Sequence, residues 1–477
     1  MSRKKKQVVL NDFKIEAYAA EGKSIGHLED GKVVFIENVV PGDVVQVRLT
    51  RSKKSWAEGK MTELISPSPM RVAAFCPHFG VCGGCKWQML PYAQQLAYKQ
   101  QQVEDQLRRI GQVALPELMP ILGSERERYY RNKLEFTFSA QRYRTHEEIQ
   151  AANGEPLPKE NALGFHAPGL FDKVVPIYTC YLQDEPTNRL LDVLRNFSEK
   201  KGYSYYDYRL QQGWLRNVIL RRTKAGEVLI NLVLKEENKT EREAILNHLL
   251  EEIPGITSLH YTINGKLNDS LHDQTVITYS GKGFIEETLE DFRYKISPKS
   301  FFQTNSYQAE RLYQVTRDFA GLSGHEILYD LYCGTGSIGI FCSKKAKKII
   351  GIEVIAEAIE DAKENAAMNG LENCAFFAGD VSELCTDAFF ETHGKPDVII
   401  TDPPRAGMHE KLVQQLLKME APKIVYVSCN PATQARDLQL LDAKYKVTRL
   451  QPVDMFPHTH HIENVALLEL RSGNTPG

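Results

Sequence analysis

The chain has 477 residues, 42% of them hydrophobic and 25% charged. That is long enough for about two to four domains and too apolar for a disordered polymer. A net charge of −2 gives no global nucleic-acid signature. No segment is apolar enough over sufficient length to span a bilayer, and the basic run Ser2-Arg3-Lys4-Lys5-Lys6 is not followed by an apolar signal core. A cytoplasmic protein is therefore expected. Its nine cysteines then point to metal or catalysis before disulfides.

Residues 1–66 read as a small β-barrel. Alternating patterns cover residues 13–19, 32–36, 43–49 and 56–64, separated by the turns Glu21-Gly22, Asp30-Gly31 and Val40-Pro41-Gly42-Asp43. Short strands at this spacing predict a five-stranded OB-like barrel. Residues 1–60 carry 12 Lys+Arg against 8 Asp+Glu, with Arg48, Arg51, Lys53 and Lys54 together. Such a cluster attracts phosphates or simply faces water. Gly22-Lys23-Ser24-Ile25-Gly26 followed by Pro41-Gly42-Asp43 resembles the TRAM domain, an RNA-binding barrel of RNA-modifying enzymes. An adaptor barrel without a nucleic-acid role is the alternative.

Next comes Cys76-Pro77-His78-Phe79-Gly80-Val81-Cys82-Gly83-Gly84-Cys85. Three thiols within ten residues, with two glycines permitting a tight turn, suit ligands of one metal centre. A closed site needs a fourth ligand, for which Cys180 is the candidate. One triple and a distant singleton lean toward a [4Fe–4S] cluster, with zinc the alternative, because zinc usually takes paired half-sites. His78 is a further possible ligand or a solvated loop residue. The C-x₃-C-x₂-C triple of radical enzymes is absent, so a structural or RNA-folding role is expected. Cys333, Cys342, Cys374 and Cys385 read as ordinary core residues.

Residues 91–111 show helical periodicity ending in glycine. Residues 67–295 as a whole are expected to form a central α+β domain, with the 91–111 helix able to dock on the domain that follows. Tyr129-Tyr130-Arg131-Asn132-Lys133, and likewise Trp214, Arg216, Arg221 and Arg222, combine rings and cations that suit RNA or plain packing. The polar segment 147–160 reads as an exposed loop.

Residues 296–477 alternate strand and helix. The apolar strand 327–333 runs into Gly334-Thr335-Gly336-Ser337-Ile338-Gly339, and a second strand ends at Glu353, 23 residues after Asp330. Glycine lets backbone approach a nucleotide-like ligand, and an acid at the second strand's end accepts ribose hydroxyls. A helix over 355–369 is followed by strands ending at Gly379-Asp380, at Asp402 and at Cys429, then by strands 446–451 and 464–470. This predicts a doubly wound, Rossmann-like sheet closed by an antiparallel hairpin, the arrangement of S-adenosylmethionine methyltransferases. A dehydrogenase has no use for a reactive cysteine in that place. Cys429, at a strand's C-terminal end beside the cofactor site, is placed for covalent catalysis.

Asp402-Pro403-Pro404-Arg405, Ser428-Cys429-Asn430-Pro431 and His458-Thr459-His460-His461-Ile462-Glu463-Asn464, with Phe301-Phe302-Gln303-Thr304-Asn305 and the cysteine triple, resemble the RNA 5-methyluridine methyltransferases across nearly the whole chain. Arg405 stands where amino-methylating enzymes carry an aromatic residue. The barrel and the triple resemble the branch acting on 23S ribosomal RNA, in which a cysteine matching Cys180 completes a [4Fe–4S] cluster. The resemblance implies S-adenosylmethionine contacts from Gln303, Tyr332, Ser337, Glu353, Asp380 and Asp402, besides the Gly334 turn; Tyr332 and Ser337 depart from the usual Phe and Asn.

The chemistry follows from uracil, whose C5 is a poor nucleophile until a thiolate adds at C6. Cys429 is the expected nucleophile. Glu463 is the expected base for the C5 proton, with a metal site at His458, His460 and His461 as the alternative reading. Asp402 can accept from uracil N3–H and Gln303 can donate to O4. Phe301 and Phe302 either hold the flipped base or pack in the core. The expected partner is RNA, 23S ribosomal RNA before transfer RNA; no membrane contact and no obligate protein partner is implied. The alternatives are a transfer-RNA uridine C5 methyltransferase and a non-catalytic RNA-binding assembly protein.

Overall fold

The computed structural model describes residues 8–471, so the basic run Ser2–Lys6 lies outside the described residues. The N-terminal barrel has six strands, Val9–Lys14, Ala17–Tyr18, Ser24–His27, Val33–Glu37, Val44–Ser52 and Trp56–Ser66. The expected count was five. The run 13–19 breaks at Ile15-Glu16 into two strands, the second of which, Ala17–Tyr18, pairs with Ser24–His27. Alternate residues Val34, Ile36, Val45, Val47 and Ala57 fill the interior with Phe13 and Ile15. Gly59 is required where it stands, because a Cβ there would lie 2.3 Å from a Val47 methyl. The Val40–Asp43 turn is structural: the buried Asp43 carboxylate accepts from the Val40 and Ser68 amides and from Arg71 at 2.6 Å. Those donors outweigh burial and hold its pKa below the usual range.

The second sheet has seven strands in the order Val276–Gly281, Ile256–Ile263, Val228–Leu234, Leu215–Arg222, Lys133–Ser139, Ala162–His166 and Val174–Pro176. Helices Thr187–Lys201 and Lys239–Glu252 share its hydrophobic core. Within the segment 147–160, expected as loop, His146–Ala151 is helical. Thr145 and Glu148 form a reciprocal capping box, and such a box stabilises even a single polar turn by about 1 kcal/mol.

The third sheet runs Cys374–Ala378, Lys348–Glu353, Ile327–Leu331, Val398–Thr401, Lys423–Ser428, Glu463–Leu470 and Tyr445–Val453. The first five are mutually parallel, so their C-terminal ends share one edge. That edge carries Glu353, Gly379-Asp380, Asp402 and Cys429. The last two strands are antiparallel, as the sequence predicts, and the reversal returns the start of Glu463–Leu470 to the same edge.

The 91–111 segment forms an α-helix, Tyr92–Gln106, that widens into a π-turn at Leu107–Gly111. Its Val103 and Leu107 are buried with Ala435 and Leu438 of the helix Pro431–Leu441. Among the described residues no helix is long and apolar enough to cross a membrane.

Candidate active site

Register brings the expected nucleophile and base together. Ser428 pairs with Asn464 across the antiparallel strands, so the next residues outward, Cys429 and Glu463, meet at the sheet edge. Cys429 is half-buried, and its thiol is pushed up to about 12 by burial and then by the charges of Glu463 and Asp402, while Arg405 pulls it down. Glu463 is buried, and its carboxyl is raised well above the usual range by burial and by Asp402. Burial pushes Asp402 up to about 7. Two carboxyls in one poorly solvated corner favour the protonated form of one of them.

The flanking turns are stapled to each other. Asn430 caps Pro431–Leu441 by accepting from the Ala432 amide, and its Nδ2 donates to the Arg405 carbonyl at 3.0 Å. Thr433 donates to the same carbonyl. Cys429 thus precedes a helix N-terminus, whose dipole favours a thiolate. The Arg405 side chain is exposed, with Nη2 3.5 Å from His461 Nδ1.

The histidines diverge. The His458 ring faces Gln95, and His460 packs on the barrel turn at Gly22. His461 stacks obliquely on His460 beside Arg405. Burial lowers the three to about 4, 4 and 3, so all are neutral at pH 7. Among the described residues no three His, Cys, Asp or Glu side chains stand as a ready ion-binding group, the histidines and the cysteines alike.

Beside Asp402 along the strand ends lies a cavity of about 70 Å³ lined by Tyr332, Glu353, Val354, Asp380, His409 and Lys411, among others. The Gly334 and Ile355 amides donate to the two Glu353 oxygens at 3.3 and 3.1 Å, presenting a fixed carboxylate. Tyr332 holds a left-handed φ of 60° and Gly334 follows at 53°. Asp380 caps the next helix through the Ser382 amide. The Ser337 hydroxyl is engaged by Tyr313 at 3.0 Å. An orienting acid, a glycine turn and a cleft at parallel strand ends fit a nucleoside-bearing ligand.

Gln303 is half-buried, and its carbonyl accepts from Asn132 at 2.7 Å. Phe302, expected as a substrate contact, is 4% exposed in the hydrophobic core against Tyr294, whereas Phe301 is 69% exposed. Alternation along an extended segment turns one ring inward and its neighbour outward, which places Phe302 on the core-packing side of the two readings.

The four cysteines Cys76, Cys82, Cys85 and Cys180 line one cavity of about 130 Å³, and all are free thiols. Burial and mutual charge push Cys85 to about 12; Cys180 is pushed to about 11, with burial the largest cause. Clustered thiols that burial keeps from ionising alone fit ligation to a positively charged centre, which would stabilise their thiolate forms. His78 Nε2 accepts from the Tyr178 amide.

The tRNA (uracil-5-)-methyltransferase family model matches residues 223–471, and the TRAM domain model matches residues 12–62. An uncharacterised RNA methyltransferase of Bacteroides thetaiotaomicron is 52% identical over 456 residues, covering 95% of this chain and 100% of the relative. Another, from Porphyromonas gingivalis, is 48% identical over 461 residues, covering 96% and 99%. The crystal structure of Pyrococcus abyssi tRNA (uracil-54, C5)-methyltransferase in complex with S-adenosyl-L-homocysteine superposes with a TM-score of 0.72 at 29% identity, covering 97% of this chain and 100% of that one.

Proposed function

The chain belongs to the RNA uracil-5-methyltransferase family, and from that premise we propose that it methylates C5 of a uridine in 23S ribosomal RNA through a covalent Cys429 adduct. Membership makes it an S-adenosylmethionine-dependent RNA methyltransferase with a TRAM domain and sets aside the non-catalytic alternative. The observation that carries the mechanism is the Ser428–Asn464 register, which meets Cys429 with Glu463 beside Asp402.

Cys429 loses its proton to solvent, with Arg405 and the helix N-terminus stabilising the thiolate, and adds to C6 of the flipped uracil. The electron pair moves through C5 onto O4, where Gln303 donates, while Asp402 accepts from N3–H. Glu353 and the Gly334 turn, with Tyr332, Ser337 and Asp380 nearby, would hold S-adenosylmethionine, which would supply the methyl group to C5. Glu463, ionised by loss of its own proton to solvent, then takes the C5 proton, the C5–C6 double bond re-forms, and Cys429 leaves as thiolate. Residues 1–66 and 67–295 hold RNA, and residues 296–477 perform the transfer.

Cys76, Cys82, Cys85 and Cys180 would hold a [4Fe–4S] cluster that ties the cysteine loop to the central domain. Protein purified without oxygen should absorb in the visible and contain about four iron atoms per chain. Cys85→Ala and Cys180→Ala should lose both signals, and a colourless zinc protein would overturn the assignment.

A second reading, methylation of transfer RNA, is favoured by one observation: the Pyrococcus abyssi transfer-RNA enzyme spans 97% of this chain, so domain content does not separate the two substrates. Mapping 5-methyluridine in ribosomal and transfer RNA from cells with and without the gene decides between them. Loss confined to 23S RNA is expected; loss confined to transfer RNA would replace the proposal with the second reading.

A further inference from the structure

We infer that Lys99 is a positioning residue for methyl transfer, acting through the loop that leads into Glu463. The inference rests on the reading of Cys429 as nucleophile and Glu463 as base. Lys99 is wholly buried, and its Nζ donates to Asp454 Oδ1 at 2.6 Å and to the Phe456 carbonyl at 3.0 Å. Asp454 is equally buried; its Oδ2 accepts from Tyr92 and its Oδ1 also from the Phe456 amide. One turn earlier on the same helix, Gln95 Oε1 accepts from the His458 amide at 2.8 Å, and its Nε2 donates to the Trp87 and Leu90 carbonyls, 3.1 Å from His458 Nδ1.

The loop is over-determined. Five consecutive carbonyls, from Asp454 to His458, accept in turn from Gln308, Asn305, Lys99, Tyr130 and the Lys86 and Trp87 amides. These donors come from four places: the start of the helix Ser306–Ala320, the helix Tyr92–Gln106, Tyr130, and the loop at Lys86-Trp87. His458 is held at a left-handed φ of 64°, a strained conformation for a non-glycine residue that persists only where the surroundings enforce it. The helix that supplies Lys99 also packs, through Val103, Leu107 and Gly111, on the helix beginning just after Cys429. One rod therefore touches the supports of both reacting groups. Proton abstraction demands placement within a fraction of an ångström, so the rod's grip on the loop fixes the base relative to the nucleophile.

The test exploits two RNA substrates. With 5-fluorouridine RNA no C5 proton exists, so adduct formation reports addition and methyl transfer without the base. With natural RNA, a misplaced base leaves the methylated adduct waiting. The paired variant Lys99→Met/Asp454→Asn removes the contact without stranding a buried charge. It should keep KM for RNA and S-adenosylmethionine within about twofold and form the fluorinated adduct at close to the wild-type rate. Its kcat should fall about 10- to 100-fold, with a denaturation-resistant adduct accumulating on natural RNA. Gln95→Met, which leaves the ion pair intact, should give the same asymmetry to a smaller degree and serves if the paired variant does not fold. Parallel loss with both RNAs, or unchanged turnover, would overturn the positioning role. A wild-type enzyme that forms no fluorinated adduct would instead overturn the nucleophile assignment beneath it.

Discussion

Cys429→Ala should bind RNA and S-adenosylmethionine and transfer no methyl group. The expected loss is about 10⁴-fold or more, because no neighbouring group can replace sulfur as the atom that adds to C6. The substitution itself is mild. Cys429 is only half-buried at a strand end, and the helix behind it is capped by Asn430, so the fold is not at stake. Two measurements check the result: transfer of labelled methyl to an RNA transcript, and a denaturation-resistant adduct with 5-fluorouridine RNA. Both should vanish together, and turnover near the wild-type rate would end the covalent mechanism. The thiol's environment adds a pH signature. With the group pushed up to about 12, on the order of one thiol in 10⁵ is ionised at pH 7 in the free enzyme. Below that value the thiolate fraction grows tenfold per pH unit, so the rate of adduct formation in the wild type should climb with pH wherever addition is limiting.

Glu463→Gln should do something different: it should stall the reaction after the methyl group has moved. Turnover should fall about 10²- to 10⁴-fold, the range expected for loss of a positioned base. One equivalent of methyl per enzyme should still be transferred, and the product should remain attached to the protein on a denaturing gel with natural uridine RNA. The first step should not suffer. Burial already biases Glu463 toward the uncharged acid, so an uncharged amide in its place leaves the surroundings of the Cys429 thiol little changed. Absence of both a methyl burst and an adduct would place the base elsewhere.

Much of the C-terminal sheet is legible in the sequence because each candidate site residue ends an apolar run: Glu353, Asp380, Asp402 and Cys429 all mark strand ends, and parallel strands gather their ends on one edge. The final reversal is equally readable from the two apolar runs that follow. What the sequence conceals is non-local. Nothing in the polar helix Tyr92–Gln106 announces that Gln95 and Lys99 are buried partners of a loop some 360 residues away; their surroundings, not their residue type, decide it. Phe301 and Phe302 are indistinguishable by composition, and only the local backbone turns one into the core. The short barrel strands and the capped turn at His146–Ala151 fall below the length at which periodicity is readable, although Thr145 and Glu148 carry the capping signal.

The pairing of Ser428 with Asn464 carries an evolutionary consequence. Successive side chains of a strand point to opposite faces, so slipping Glu463–Leu470 by a single position would swing the carboxyl away from the sulfur and exchange the side chains packed on its two buried faces. The connection from Val453 to Glu463 is therefore intolerant of insertions and deletions. Descendants of this enzyme can lengthen a surface bend such as 152–161 at little cost, while the number of residues in that connection stays fixed.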